Sequence, residues 1–408
     1  MIRLFDLLYF VLVIPVTQFL LWAASLFLQK FAARRDAWRA TLTTLRTMHT
    51  PGAVWVHAAS AGEYEQVIPI IERLVSSGHP VVGSAFSPSG FEHQHRVGMN
   101  THTVLLPLDA PTAMSAMFDA ITPKLIIVSR YDLWRGMILE AERRGIPVML
   151  INGTCPSAAT TPVVGRWIAD TYQRVQHISS VSRAEAARLK QVVGHTVALA
   201  PDTRIARVAQ KAKQVDPVIM HWKRTDVTTL ICASTWSDDD ELLREALHSA
   251  ARSDLRLVIV PHEPSEATLQ RIESLFPCQR WSAVRDSEPR EGNILVDMTG
   301  QLLSFYALAD AAYVGGGFGA GVHSVMEPAA YGLALSCGPA IERSQVATEL
   351  ARTEALFVVH REHELRTWID SVARVPNERM RCGAAARAWV DAHHGGVDAA
   401  MRVIEPYL

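Results

Sequence analysis

Apolar residues fall along this chain in two patterns. Near the amino terminus, residues 7–28 are almost all apolar, broken only by Pro15, Thr17, Gln18 and Ser25. About twenty such residues in a helix cross the hydrocarbon core of a bilayer. From residue 53 onward the pattern becomes short apolar runs separated by amphipathic stretches. The runs at 54–57, 81–85, 103–106, 125–129, 148–152 and 177–181 read as strands. The stretches 65–76, 112–121, 133–144 and 183–192 read as helices. This alternation predicts an α/β fold with a mostly parallel, doubly wound sheet. The rhythm lapses over the polar, basic segment 201–227 and then restarts. Strands are expected at 228–233, 255–260, 293–296, 311–314 and 334–336, with helices at 241–251, 266–275, 301–308 and 378–394. The expected organisation is a membrane anchor at 1–35, an α/β domain at 50–205, a linker at 206–227 and a second α/β domain at 228–375. Helices in 376–408 are expected to pack back on the first domain.

At 408 residues the chain exceeds one ordinary core and suits two. With 49% hydrophobic and 20% charged residues, it is a folded protein. A net charge of −1 gives no argument for a nucleic-acid partner, so any anion site is local. The five cysteines, Cys155, Cys232, Cys278, Cys337 and Cys382, lack CxxC spacing and read as reduced. Lys30, Arg34, Arg35 and Arg39 follow the amino-terminal apolar run, whereas Arg3 precedes it and is offset by Asp6. That asymmetry places the large domains in the cytoplasm behind a spanning or deeply embedded anchor. Pro15 and Gln18 would also suit a half-inserted helix. A cleavable signal peptide is disfavoured, because the basic residues lie on its wrong side.

Candidate chemistry sits where strands end. His57-Ala58-Ala59-Ser60-Ala61-Gly62-Glu63 takes a strand into a small-residue loop and a helix. Glu63 would stand at the carboxyl edge of the first strand, where such sheets hold ligands. It is a candidate general base, or a carboxylate that complements a helix dipole. Ser60 and Gly62 alternatively resemble a serine-hydrolase elbow lacking its first glycine. Gly315, Gly316, Gly317, Gly319 and Gly321 form a second loop, with a helix expected from His323 or Ser324. Glycines permit close backbone approach, and a helix amino terminus suits phosphate. Glu327, one turn into that helix, could reach ribose hydroxyls. Ser234 and Thr235 close the strand at 228–233, and His262 closes the strand at 255–260. Arg204 could meet a phosphate or a surface carboxylate. No HExxH or DxD motif argues for a metal. His93 and His95, two apart, would point away from each other on a helix.

These segments resemble, in order, the Kdo (3-deoxy-D-manno-octulosonate) transferases, inverting glycosyltransferases of GT-B architecture. The resemblance runs through residues 57–63, Ser87-Pro88-Ser89-Gly90, Leu106-Pro107-Leu108-Asp109, Tyr131-Asp132-Leu133-Trp134, Asp202-Thr203-Arg204, Ala233-Ser234-Thr235-Trp236, Pro261-His262-Glu263 and 315–328. Two α/β halves on one linker fit GT-B, and they also fit two-lobed binders without catalysis. The resemblance implies CMP-Kdo as donor, held mainly by the second domain at Ser234, Thr235, His262, the glycines, His323, Ser324 and Glu327. It implies a lipid A precursor as acceptor at the inner membrane, with Ser60, Gly62, Ser87, Ser89 and Arg204 near the phosphate or acceptor. It assigns catalysis to Glu63 and Asp132, with neither metal nor cofactor. Asp132 stands where the family carries Glu, Pro201 where Gly is usual, and Ser324 where Asn is usual. The alternatives are another nucleotide sugar, a Ser60-dependent hydrolase and a non-catalytic nucleotide-binding scaffold.

Overall fold

A computed structural model describes residues 2–247, 254–289 and 291–408, with side chains described for all of these except 29–31 and 160. The chain divides into two compact units, one of residues 1–206 with 395–408 and the other of residues 207–394.

The first unit opens with α1 (Ile2–Leu8), a π-helical turn at Tyr9–Val13, and α2 (Ile14–Ala24). Helix α3 (Gln29–Thr47) follows, with the Lys30 side chain outside the described ones. The α/β body then runs β1 (Val54–His57), α4 (Ala61–Ser76), β2 (Val81–Ala85), α5 (Pro88–Val97), β3 (His102–Leu105), α6 (Pro111–Ile121) and β4 (Leu125–Ser129). It continues as α7 (Arg135–Arg144), β5 (Val148–Ile151), α8 (Val164–Tyr172), β6 (His177–Ser180), α9 (Arg183–Val193) and β7 (Ala198–Leu199). The strands form one sheet in the order β3-β2-β1-β4-β5-β6-β7, and every pairing is parallel. Both faces are covered, as parallel sheets require. Trp55, Val82 and Ile126 pack into one apolar cluster, and Val54, Val56 and Ile127 into another. The second cluster is completed by Val397, Met401 and Ile404 from the chain's end.

The segment read as a linker is helical in part, with α10 (Thr203–Lys211) and α11 (Pro217–Met220). Ile205, Ile219 and Trp222 are buried, which explains why this stretch is not a bare connection.

The second unit runs β8 (Thr228–Thr235), α12 (Ser237–Leu247), β9 (Leu255–Pro261), α13 (Glu266–Leu275), β10 (Cys278–Arg280), α14 (Trp281–Val284) and β11 (Asn293–Leu295). Next come α15 (Leu302–Phe305), β12 (Ala311–Val314), α16 (Met326–Ala330), β13 (Ala334–Cys337), α17 (Gln345–Arg352), β14 (Leu356–Val358), α18 (Glu362–Arg374) and α19 (Pro376–His393). Helix α20 (Gly396–Ile404) returns to the first unit. The second sheet is also all parallel, in the order β10-β11-β9-β8-β12-β13-β14. Each unit is thus a doubly wound α/β body of the kind that GT-B folds pair.

Several boundaries differ from the sequence expectation, three of them at helix starts. Helix α4 begins at Ala61 and not at 65, because Ser60 caps it. Helix α7 begins at Arg135. The expected helix 241–251 starts at Ser237, and its residues 248–251 lie outside the described ones.

Candidate active site

In the first sheet the chain winds outward from β1 through β2 to β3, then resumes on the other side of β1 at β4. The direction of winding therefore reverses between β1 and β4. Ligands of open α/β sheets sit at the carboxyl ends of such strands. The loop after β1 ends at Ser60 and leads into Gly62 and Glu63 on the first turn of α4, and the loop after β4 carries Arg130, Asp132 and Trp134. Arg130 holds a left-handed backbone with φ 67°, an uncommon state for a side-chain-bearing residue and one that gathers at functional loops.

Glu63 is placed by a capping box. The Ser60 Oγ accepts from the Glu63 N–H at 3.4 Å, and Glu63 Oε2 accepts from the Ser60 N–H at 3.1 Å. The side chain is buried, and burial followed by the Asp132 charge raises its pKa above the ordinary carboxylate value. The Ser60 N–H, Arg130 and His57 oppose that rise without cancelling it. With Oε2 held, Oε1 is left to receive a proton. The dipole-complementing role of Glu63 is thus compatible with a carboxylate oxygen left for other chemistry.

Asp132 sits in a different environment. Its Oδ2 accepts from His57 Nε2 at 2.8 Å and from Trp134 Nε1 at 2.9 Å. Burial pushes its pKa up, but the His57 and Trp134 hydrogen bonds outweigh burial and leave it lowered. His57 is wholly buried, and its Nδ1 lies 2.8 Å from Ser84 Oγ, which also accepts from Trp55 Nε1 at 2.8 Å. A chain Trp55–Ser84–His57–Asp132–Trp134 therefore fixes the Asp132 carboxylate. Sequence reading passed over His57 and Trp134. The available signal was a histidine ending the strand that precedes Glu63.

The other first-unit candidates have structural duties. Ser60 caps α4, and the ring nitrogens of His57 are taken by Ser84 and Asp132, so a serine nucleophile with this base is not assembled. Ser87 Oγ donates to the Ala59 carbonyl at 3.0 Å and caps α5. Ser89 is exposed beside it, with its Oγ 3.4 Å away. Gly62 is exposed and faces open space. Arg204 forks onto Asp202 at 2.6–3.2 Å, so its guanidinium meets a carboxylate of its own loop.

The second sheet reverses between β8 and β12. Ser234 and Thr235 end β8 and Trp236 follows it, and the loop after β12 carries the glycines. Ser234 is left-handed at φ 53°, beside a bulge between Ala233 and Thr235. The buried Asp239 ties the two loops together. Its Oδ2 accepts from Trp236 N at 3.0 Å and Gly316 N at 2.9 Å, and its Oδ1 accepts from Tyr313 Oη at 2.8 Å. Sequence reading missed this residue, which is one of three consecutive aspartates and carries no other mark.

The glycines do not form one uniform cradle. A Cβ on Gly315 would lie 2.5 Å from the Ser234 carbonyl oxygen, and one on Gly317 would lie 2.6 Å from Gly338 Cα. These two permit close packing of protein on protein. Gly316 and Gly321 have positive φ, at 88° and 133°. Gly319 is exposed and unencumbered. The expected helix at His323 or Ser324 begins instead at Met326 and spans five residues. Residues 319–325 remain extended or turning, and the N–H groups of Gly319, Gly321, Val322 and His323 donate to protein carbonyls. Ser324 is exposed, and Glu327 lies close enough to Tyr306 and Tyr331 to help raise both phenols after burial. Thr235 is buried, and its carbonyl accepts the His262 N–H at 3.0 Å.

Above these loops lies an aromatic stack. His262 and His323 stack with centroids 4.3 Å apart, and Trp236 lies 4.6 Å from His262. Trp236 Nε1 donates to His323 Nε2 at 2.9 Å, so His323 is neutral and carries its proton on Nδ1. Burial first and His262 second lower its pKa. A Trp236→Phe change removes a bond to the neutral ring, and the His323 pKa is expected to rise in an NMR titration. An unchanged pKa would show that this bond does not set the tautomer.

Comparison with known proteins follows the same lines. Residues 30–207 match the family described as 3-deoxy-D-manno-octulosonic-acid transferase, or Kdo transferase. The 3-deoxy-D-manno-octulosonic acid transferase of Haemophilus influenzae is 23% identical over 380 residues, covering 88% of each chain. That of Bordetella pertussis is 24% identical and covers 87% of each. The chain is thus similar to Kdo transferases over most of its length, and these relatives mark it as a glycosyltransferase. The fold likeness reaches further: UDP-GlcNAc 2-epimerase from Neisseria meningitidis superposes with a TM-score of 0.61 at 11% identity, covering 87% of this transferase and 100% of the epimerase. At that identity the likeness speaks for the fold alone.

Proposed function

We propose that this transferase moves Kdo from CMP-Kdo to a lipid A precursor, with inversion at the anomeric carbon and without a metal, at the cytoplasmic face of a bacterial inner membrane. Similarity to named Kdo transferases supports the donor and the reaction class. The observation that carries the mechanism is Glu63, a buried carboxylate of raised pKa at the reversal point of the first sheet. The acceptor oxygen attacks the anomeric carbon of Kdo. The bond from that carbon to the phosphate oxygen breaks, and CMP leaves with the electron pair. The hydroxyl proton passes to Glu63 Oε1. Asp132, kept ionised by His57 and Trp134, positions the acceptor and holds up the Glu63 pKa. In the second unit the turn at 315–321 meets the phosphate through N–H groups other than those of Gly316, Gly319 and Gly321, which are bonded within the protein, while Glu327 meets the ribose and Ser234, His262 and His323 the rest of the donor. Charge developing on the departing phosphate meets donors already in place.

Two measurements test this reading. Calorimetry on the full chain is expected to show binding of CMP and not of UMP or UDP; a uridine preference would overturn the donor. Asp132→Asn removes a charge that raises Glu63, so the acidic limb of the pH–rate profile is expected to move to lower pH. A limb that stays in place would separate Asp132 from the base.

A further inference from the structure

The amino-terminal apolar helix has the length to cross a bilayer: Ile2–Ala24 is 23 residues, about 35 Å at 1.5 Å per residue. A helix that crosses carries one end away from the domain it anchors. Here the globular part of the first unit holds both ends. At the start, Asp6 accepts from the buried Arg135 at 2.9 and 3.0 Å and from Trp167 Nε1 at 2.8 Å. Tyr9 Oη donates to Asp109 at 3.2 Å, and its ring lies 5.1 Å from Trp167. At the far end, Leu21, Trp22 and Ser25 wall a cavity of about 250 Å³ together with Leu105, Pro107 and Ala113. Just beyond, Arg34 donates to the carbonyls of Phe86 and Leu106.

A stripe of less exposed residues runs between those ends. Asp6, Phe10, Ile14, Thr17, Leu21 and Ser25 recur every three or four residues, and each is buried or half-buried. They form one stripe along the whole helix. The opposite side is apolar and open: Val11 is 65% exposed, Phe19 63% and Phe27 85%. So long an exposed apolar surface marks a docking face. An Asp carried into a bilayer core is costly, whereas this Asp6 never leaves its arginine.

We infer that residues 2–28 lie along the first unit, in the plane of one leaflet, and do not cross the membrane. The occupant of the exposed apolar side is lipid acyl chain. Asp6 and Tyr9 bond to protein, which takes the part that water plays for an ordinary interfacial helix, while Arg3 and Gln18 are exposed. Of the sequence-based expectations, a spanning or deeply embedded anchor and a half-inserted helix, the second fits this placement.

The test uses the full chain with one epitope tag before residue 1 and another after Leu408, in sealed vesicles challenged with protease. A flat helix places both tags on the same side, so they are cut together or protected together. One tag cut and the other protected would overturn the inference. In the same vesicles, alkaline carbonate is expected to leave the protein in the pellet and detergent to release it. Release by carbonate alone, or a soluble dimer without lipid, would show that the apolar face covers something other than a leaflet. Neither readout depends on sugar transfer, so the topology can fail while the enzymatic reading stands.

Discussion

Glu63→Gln is expected to lower the rate of Kdo transfer by about two to four orders of magnitude, with CMP affinity little changed. Glutamine is the informative replacement because it preserves the local fold. At the third position of a helix, Gln closes a capping box as Glu does, so Ser60 and the start of α4 keep their partners. What disappears is the capacity to accept a proton from an acceptor hydroxyl. Wild-type transfer is expected to rise with pH through a pKa above the ordinary Glu value of about 4.3, because burial and Asp132 favour the protonated form. In Glu63→Gln that limb is expected to vanish along with most of the rate. Glu63→Ala also removes the bond from the Ser60 N–H while Ser60 still caps α4, so a comparison of the two variants separates chemistry from local folding. Near-normal turnover by Glu63→Gln at saturating substrates would remove this residue from the base role.

Gly317→Ala is expected to be the most damaging change in the second unit, and Gly319→Ala among the mildest. The new Cβ at 317 would lie 2.6–2.7 Å from the Cα, C and N of Gly338, where no flexible side chain can give way. Gly338 is equally confined, since its own Cβ would lie 2.7 Å from Gly317 C and the Phe318 ring. Relief therefore requires two loops to part at the ends of β12 and β13. Overpacking of this kind costs about 1–3 kcal/mol. For a body of this size that corresponds to a fall in melting temperature of about 2–4 °C per kcal/mol. CMP binding is expected to be lost with it. At 319 the nearest atom to a new Cβ is the Gly316 carbonyl oxygen at 3.8 Å, so the fold is expected to survive. A weaker CMP affinity in Gly319→Ala, at unchanged melting temperature, would mark this glycine as the one that meets ligand. Equal behaviour of the two variants would contradict the division drawn among the glycines.

Much of the fold was legible because buried parallel strands announce themselves. Val54-Trp55-Val56 and Leu125-Ile126-Ile127-Val128 are apolar on both faces, as strands between two helical layers must be. Short edge strands carry no such signal: β7 spans Ala198–Leu199, and β10 spans Cys278–Arg280. Helix α5 was passed over because its face is mostly polar, although Ser87-Pro88 and Gly98 mark its two ends. The capping box from Ser60 to Glu63 was equally readable and sets the start of α4. At the site, motif residues were legible, but the side chains that hold them were not. His57, Ser84 and Trp55 meet Asp132 only because β1, β2 and β4 are neighbours in the sheet. Asp239 acts by bonding residues up to 77 positions away. No local pattern encodes contacts of that range. The anchor shows the same limit: hydropathy gives a helix long enough to span, whereas the pairing of Asp6 with Arg135 appears only in three dimensions.

The most direct test of the whole account is one incubation. Purified full-length protein, CMP-Kdo and lipid A precursor are combined in detergent with a chelator present, and the lipid is weighed by mass spectrometry. The account predicts a lipid heavier by Kdo, CMP released in step with it, and no such product when Glu63→Gln replaces the wild type. A lipid of unchanged mass, or CMP released while free Kdo accumulates in solution, would contradict it.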